Sequence, residues 1–110
     1  MNDWTAWIKF PEPSKIRDIR GPSGPGIYQV RNILTEEMIL FGIGGECQKR
    51  MQSLMPAPWG RGTRNADDKR RYVYKNYKSL VYRFRSTETR EAAADIERDL
   101  KAQKNHMFNR

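Results

Sequence analysis

Two glycine-bearing stretches that resemble strands limit the folds open to this chain of 110 residues. The first, GPGIYQVRN over 24–32, follows the breaker RGPSGP and alternates apolar with polar residues, which predicts a strand from Gly26 to Ile33. The second, MILFGIGG over 38–45, comes directly after a turn over 34–37. Because the connection is so short, the two strands are expected to form an antiparallel hairpin.

The remaining pattern predicts one more strand and a set of helices. Alternation over Leu80–Ser86 indicates a strand with one wet face, and Lys69–Ser79 is open between helix and strand. Helices are predicted over Trp4–Phe10, Glu46–Met55 and Glu88–Gln103, the last capped by Ser86 or Thr87. The order predicts a small α+β domain with a three-stranded, mostly antiparallel sheet flanked by helices.

Charge is the most informative part of the composition. Lysine and arginine number 21 against 13 acidic residues, which gives a formal net charge of +8 and a pI near 9.9. Such a balance favours a polyanionic partner, and nucleic acid is the commonest one. A membrane surface is disfavoured because the chain has no basic helix with a bulky apolar face. A basic domain that is merely soluble is the alternative.

Targeting features are missing from the sequence. No apolar run approaches 18 residues, and the N-terminal MNDWTAWIKF lacks a basic region followed by an apolar core. Cys47 is the single cysteine, which suits a reducing compartment. These features predict a cytoplasmic protein.

One glutamate stands out on the last predicted helix. Ala93, Ile96 and Leu100 form its apolar stripe, and Glu97 borders that stripe instead of facing open water. Glutamates avoid such positions unless they are paired or bind a ligand. The plain alternative is an ion pair with Arg90 or Lys101 on the same face.

Four elements, in order, resemble the GIY-YIG nuclease family. Gly26-Ile27-Tyr28 matches the first motif letter for letter, and Leu40-Phe41-Gly42 occupies the place of the second. Arg50 follows Gly42 by eight residues, as the helix arginine of the family does. Asn109 follows Glu97 by twelve residues, again as in the family. The resemblance covers roughly residues 24–109, and it implies a nuclease domain over 24–110 preceded by a helical or extended segment over 1–23.

The resemblance implies a divalent-metal-dependent endonuclease that hydrolyses phosphodiester bonds in DNA. Tyr28 would contact or activate the attacking water, and Arg50 would supply charge to the phosphate. Glu97 would hold one Mg²⁺ or Mn²⁺ ion, since a single carboxylate suits an ion that keeps most of its waters. Asn109 would help to organise the site. RNA is an alternative substrate, and a protein partner or an oligomer is left open.

The second motif departs from the family pattern. Leu40 stands where a tyrosine is expected, and a leucine side chain makes no hydrogen bond. A different alignment, Gly42-Ile43-Gly44, keeps two letters but brings Arg50 too close to the last glycine. A polar group could come from elsewhere, and the accessory candidates are Tyr72, Tyr74, Tyr77, Tyr82 and, with less weight because it is expected at the surface, His106. Otherwise the chain binds nucleic acid without cleaving it, or the resemblance is accidental.

The segment KRRYVYKNYK over 69–78 offers a binding surface. Its cations suit phosphates, and its tyrosines are expected in the core more than in base stacking. Such contacts carry little sequence information, so low sequence specificity is expected. The cations expected to contact nucleic acid are Lys49, Arg61, Arg64, Lys69, Arg70, Arg71, Lys75 and Lys78.

Overall fold

The predicted hairpin is present in a computed structural model that describes residues 3–56, 59–60 and 67–109. Strand β2 (Gly26–Asn32) pairs antiparallel with strand β3 (Glu37–Gly44). The turn between them is held by Asn32, whose Oδ1 accepts hydrogen bonds from the amides of Leu34 at 2.9 Å and Thr35 at 3.2 Å. Glu36 completes the turn in the left-handed region, with φ of 60°.

Among the described residues the sheet has four antiparallel strands, so the prediction of three was wrong. Strand β4 (Leu80–Ser86) pairs with β2, as its alternation suggested, and a short strand β1 (Ile8–Lys9) pairs with β4. The order across the sheet is β1-β4-β2-β3.

The segment expected to be a helix over Trp4–Phe10 is extended and includes the fourth strand. Its two tryptophans, Trp4 and Trp7, contact the same group: the Arg83 guanidinium carbon lies 4.5 and 4.6 Å from the centroids of their rings. The i, i+3 spacing that predicted a helix instead accompanies a shared contact with a cation on the neighbouring strand.

In the part of the chain that the structure describes, three helices pack against the sheet. Helix α1 (Cys47–Gln52) is shorter than the predicted Glu46–Met55, and α2 (Asp67–Asn76) shows that most of the ambiguous segment is helical. Helix α3 (Arg90–Gln103) starts later than predicted, because Thr89, and neither Ser86 nor Thr87, caps it by accepting from the Ala92 amide at 3.0 Å. Short 3₁₀ turns cover Pro13–Asp18 and Tyr77–Ser79.

The sheet separates two hydrophobic clusters. Tyr28, Val30 and Leu40 face the larger cluster, which α1 and α2 complete. Ile27 and Phe41 face the smaller cluster, beneath α3. Within the described ranges no helix is long and apolar enough to cross a bilayer.

The C-terminal segment closes the outer edge of β3. The amides of Met107 and Phe108 donate to the carbonyls of Met38 at 3.0 Å and Ile39 at 2.8 Å, beside a parallel bridge between Met38 and His106. This pairing satisfies an otherwise open strand edge. It also brings the last residues back to the strand that carries the second motif.

Candidate functional site

Tyr28 lies across the neighbouring strand at the glycine of the second motif. Tyr28 and Gly42 are paired in the ladder between β2 and β3. A Cβ built on Gly42 would stand 2.6 Å from Cζ of Tyr28 and closer still to its hydroxyl oxygen. Any side chain at position 42 would therefore displace the tyrosine, so the two predicted motifs meet in one contact.

Tyr28 is a buried residue, and its hydroxyl has no hydrogen-bond partner among the described residues. Only 4% of the residue is exposed, although buried tyrosine hydroxyls usually find a partner. Burial raises the pKa of Tyr28 well above its ordinary value, and the positive charge of Arg50 opposes this rise. The charges of Cys47 and Glu97 add to it, and that of Arg70 lowers it. Tyr28 is consequently a neutral phenol near pH 7, able to donate a hydrogen bond.

Arg50 lies over a second glycine of the same strand. A Cβ on Gly44 would come within 3.3 Å of Cβ of Arg50. Gly42 and Gly44 are two residues apart and so present the same face of β3. This face thus supports Tyr28 at Gly42 and Arg50 at Gly44. Each of these glycines, which end the two alignments considered for the second motif, therefore has a structural role.

A cleft of about 430 Å³ opens beside Arg50. We call it the cationic cleft; its walls include Gly44, Gly45, Lys49, Arg50, Ser53 and Arg90. Three of its side chains are cations, drawn from α1 and α3, and one, Glu46, is acidic. Arg90 was not recognised in the sequence, where it figured only as a possible partner of Glu97. Its place at the first position of α3 was hidden because that helix was predicted to begin earlier.

Glu97 is half-buried on α3, as its position beside the apolar stripe suggested. Among the described residues it forms no ion pair, so neither Arg90 nor Lys101 neutralises it. Its negative charge raises the pKa of Tyr28, which places it within electrostatic reach of that hydroxyl. Arg90 precedes Glu97 by seven residues, and this spacing returns to the same side of a helix. The cleft and Glu97 therefore share one side of α3.

Asn109 packs against the end of the same helix. Its Nδ2 donates to the Lys101 carbonyl at 3.1 Å, one turn beyond Glu97, while its buried Oδ1 has no partner within the described part of the chain. An unpaired buried acceptor is costly unless a ligand or water satisfies it. Of the four predicted catalytic residues, Arg50 and Glu97 both act on Tyr28 through their charges, and Asn109 binds the end of the helix that carries Glu97.

His106 is buried, contrary to the expectation of a surface residue, with 6% of it exposed. Gln29 Oε1 accepts from Nε of Arg83 at 2.7 Å, so the Gln29 amide nitrogen is the donor to Nε2 of His106 at 3.2 Å. The ring also packs edge-on against Phe41 at 4.7 Å. The residue fastens the C-terminal segment to the sheet, away from Tyr28.

No tyrosine replaces the missing one of the second motif directly. Leu40 is fully buried in the larger cluster. The hydroxyl of Tyr72 accepts from Asn32 Nδ2 at 2.9 Å, and that of Tyr82 accepts from the Arg20 amide at 3.2 Å. Tyr77 is half-buried against the core, and Tyr74 is 46% exposed. The expectation that these tyrosines are core residues was therefore wrong for Tyr74.

The predicted nucleic-acid-binding cations are only partly on one surface. Arg71, Lys75 and Lys78 are exposed along or just beyond α2. Arg70 donates from Nε to the Ser53 carbonyl at 2.9 Å, which ties α2 to the cleft. Lys49 forms an exposed ion pair with Glu46 at 3.1 Å. Lys69 is half-buried on α2, and Arg61 and Arg64 lie outside the described residues.

Comparisons with protein-family models, curated proteins and solved structures found no match to this chain. Among the described residues, no group of three or more histidine, cysteine, aspartate or glutamate side chains is placed to hold a metal ion. A site built on one carboxylate does not require such a group.

Proposed function

We propose that this protein is a divalent-metal-dependent endonuclease of the GIY-YIG type, which hydrolyses DNA with low sequence specificity. The observation that carries the proposal is that Tyr28 and Arg50 lie over neighbouring glycines on one face of β3, while the charge of Glu97 on α3 also acts on Tyr28, although the three residues are far apart in the sequence. The cationic cleft, which Arg50 lines, suits a phosphate backbone because three of its side chains are positively charged.

Each residue has a role that fits its surroundings. The neutral Tyr28 phenol donates a hydrogen bond to the attacking water or to a phosphate oxygen, rather than serving as the base near pH 7. Arg50 stabilises the charge that develops on the phosphate, for which its planar guanidinium is suited. Arg90 and Lys49 hold the flanking backbone in the cationic cleft.

The oxygen atoms on α3 and the C-terminal segment fit a hard divalent cation. Glu97 has no ion-pair partner among the described residues, and the Oδ1 atom of Asn109 is buried without one. Carboxylate and amide oxygens are ligands that Mg²⁺ and Mn²⁺ accept. Glu97 would hold the ion and Asn109 would organise the site around it. When bound, the ion would lower the pKa of a coordinated water and neutralise phosphate charge.

A second candidate is a module of the same fold that binds nucleic acid without cleaving it. Leu40 favours it, because this side chain is fully buried where the family places a polar tyrosine. The raised pKa of Tyr28 also favours it, because a phenol that stays protonated is a poor general base. Both candidates predict binding, and only the first predicts turnover.

The experiment that separates them measures cleavage and binding side by side. Purified protein is incubated with supercoiled plasmid and with labelled single- and double-stranded oligonucleotides, in Mg²⁺, Mn²⁺ or EDTA. Arg50→Ala is compared with Arg98→Ala, which removes an exposed cation that pairs with Asp95 on the outer side of α3. The nuclease predicts metal-dependent cleavage that only Arg50→Ala abolishes. Salt-sensitive binding without cleavage in either metal would establish the second candidate, and the absence of both would refute the two together.

A further inference from the structure

We propose a second nucleic-acid contact, which rests on the proposed function: a groove at the β1 edge of the sheet holds one unpaired nucleotide of a single strand. The groove has a volume of about 490 Å³ and is called here the lysine groove. Its walls include Lys9, Phe10, Pro11, Lys15, Tyr77 and Lys78.

The floor and one wall of the lysine groove are aromatic or apolar. Phe10 is buried beneath it, with 1% of the residue exposed. Tyr77 is half-buried, and its hydroxyl has no hydrogen-bond partner among the described residues. A tyrosine ring held in this way, beside Pro11, offers a flat surface on which a base can stack.

The rim of the groove carries three lysines from three separate segments. Lys9 comes from β1, Lys15 from the first 3₁₀ turn and Lys78 from the second. Within the described ranges none of them forms an ion pair, and the one acidic neighbour, Glu12, accepts a hydrogen bond from Ser14 at 3.2 Å. Three free ammonium groups around an apolar floor match an anion that carries a flat apolar ring, as a nucleotide does.

The ligand is unpaired because a base inside a duplex is already stacked on both faces. An aromatic side chain reaches a base face only in a loop, an end or a single strand. Lysines act as point charges towards phosphate and read no base edge, so the groove adds affinity without sequence preference.

The position of the groove sets its distance from the proposed cleavage site. Lys9 pairs with Val81, and Tyr28 pairs with Phe84, three residues further along β4. Strand geometry therefore separates Lys9 from Tyr28 by about 10 Å along the strands and about 10 Å across them. A single strand of a few nucleotides covers such a distance.

The test measures binding in EDTA, so that cleavage does not contribute. Fluorescence anisotropy compares a labelled oligo-dT strand with a duplex of the same length, for wild type, Tyr77→Ala, Tyr77→Phe and the control Arg98→Gln. Tyr77→Ala should weaken single-strand binding by roughly 5- to 150-fold, as expected for the loss of one stacked base, and leave duplex binding unchanged. Tyr77→Phe, which keeps the ring, should bind as wild type does. Equal losses for strand and duplex, or no loss, would overturn the proposal.

A second readout covers the case in which Tyr77→Ala does not fold, since Tyr77 packs against the core. The wild-type protein is photo-crosslinked to a 5-iododeoxyuridine strand, and the attached peptide is mapped. A crosslink at Tyr77 is expected, and crosslinks confined to other segments would contradict the groove. Polyglutamate is added as a competing polyanion without bases. If it displaces the strand equally well from the wild type and from the groove variants, the surface is only electrostatic, which would also contradict the groove.

The outcome is independent of the nuclease proposal. Cleavage by wild type together with unaltered binding by the groove variants would remove the groove and leave the nuclease. Binding that depends on Tyr77 without any cleavage would keep the groove and favour the second candidate function.

Discussion

The ring of Tyr28 covers the backbone of Gly42 on the adjacent strand, leaving no space for a Cβ atom at position 42. This contact joins the first sequence motif to the second and directs the hydroxyl across β3. The glycine of the second motif is thus explained by the tyrosine of the first, whatever residue stands at position 40.

Gly42→Ala should displace Tyr28 and impair the protein in two ways. Forcing a methyl group into this contact should lower the free energy of unfolding by about 1–3 kcal/mol. A shift of the hydroxyl by about 1 Å should reduce cleavage by roughly a hundredfold. Urea unfolding and plasmid nicking measure the two effects. Gly24→Ala is the control, because a Cβ there meets nothing within 4 Å and the residue does not line the cationic cleft. Equal behaviour of the two variants would show that the contact is unimportant.

The protein should lose stability at alkaline pH because buried acids, Cys47 and Tyr28 among them, must ionise. Burial raises the pKa of the Cys47 thiol from 9.0 to about 12, and it raises that of Tyr28 above 10. For a raised pKa the stabilisation is complete below the unfolded value and is lost as pH rises towards the folded value. Each group therefore contributes a decline of up to about 1.4 kcal/mol per pH unit, starting near pH 9 for Cys47 and near pH 10 for Tyr28.

Urea unfolding across this range checks the alkaline decline. Tyr28→Phe should flatten its upper part, and Tyr74→Phe, which removes an exposed hydroxyl, should leave it as in wild type. A decline that is the same in all three proteins would mean that Tyr28 is not buried as described.

Acid should release the C-terminal segment through His106. Burial lowers the pKa of this imidazole, so its contribution to stability is present above the unfolded value near 6.5 and is lost as pH falls through the folded value. None of its neighbours among the described residues stabilises the positive charge of a protonated imidazole: they are Phe41 and the amide of Gln29, and the cation Arg83 lies beyond Gln29. The protection factors of the Met107 and Phe108 amides against hydrogen exchange should fall below pH 6.5. His106→Gln should remove this pH dependence. Protection that is unchanged with pH would contradict the assignment.

Arg90 should contribute to binding as a phosphate contact in the cationic cleft. Arg90→Ala should weaken duplex binding in EDTA and reduce the slope of log affinity against log salt by about 0.9, the value for one contact. Arg98→Ala serves as the comparison, since it removes a cation from the same helix outside the cleft. Slopes that fall equally in the two variants would assign the effect to net charge alone.

Part of this architecture follows from the sequence. The breaker and the period-two alternation located β2, β3 and β4 because strand patterns and glycines are local signals. The apolar stripe of α3 likewise located Glu97 at its border. The resemblance to the GIY-YIG family then selected Tyr28, Arg50, Glu97 and Asn109, and the charges of Arg50 and Glu97 both act on Tyr28.

Other features depend on contacts between distant segments, which local patterns do not contain. The segment that holds β1 pairs with β4, far along the chain, and its Trp4 and Trp7 cover Arg83 of that strand. His106 is buried because the C-terminal segment returns to the edge of β3. The sequence did not predict Arg90 as a residue of the cleft, because the cap of α3 is Thr89 and not Ser86 or Thr87.

The most direct test of the central claim is plasmid nicking in Mg²⁺ by Glu97→Gln and by Asp99→Asn. Both variants remove one carboxylate from α3, but Asp99 is exposed and Glu97 is half-buried within reach of Tyr28. We expect the wild type and Asp99→Asn to nick the plasmid at similar rates, and Glu97→Gln to lose at least about a hundredfold. Equal nicking by Glu97→Gln and wild type, with both folded, would contradict a site built on Tyr28, Arg50 and Glu97.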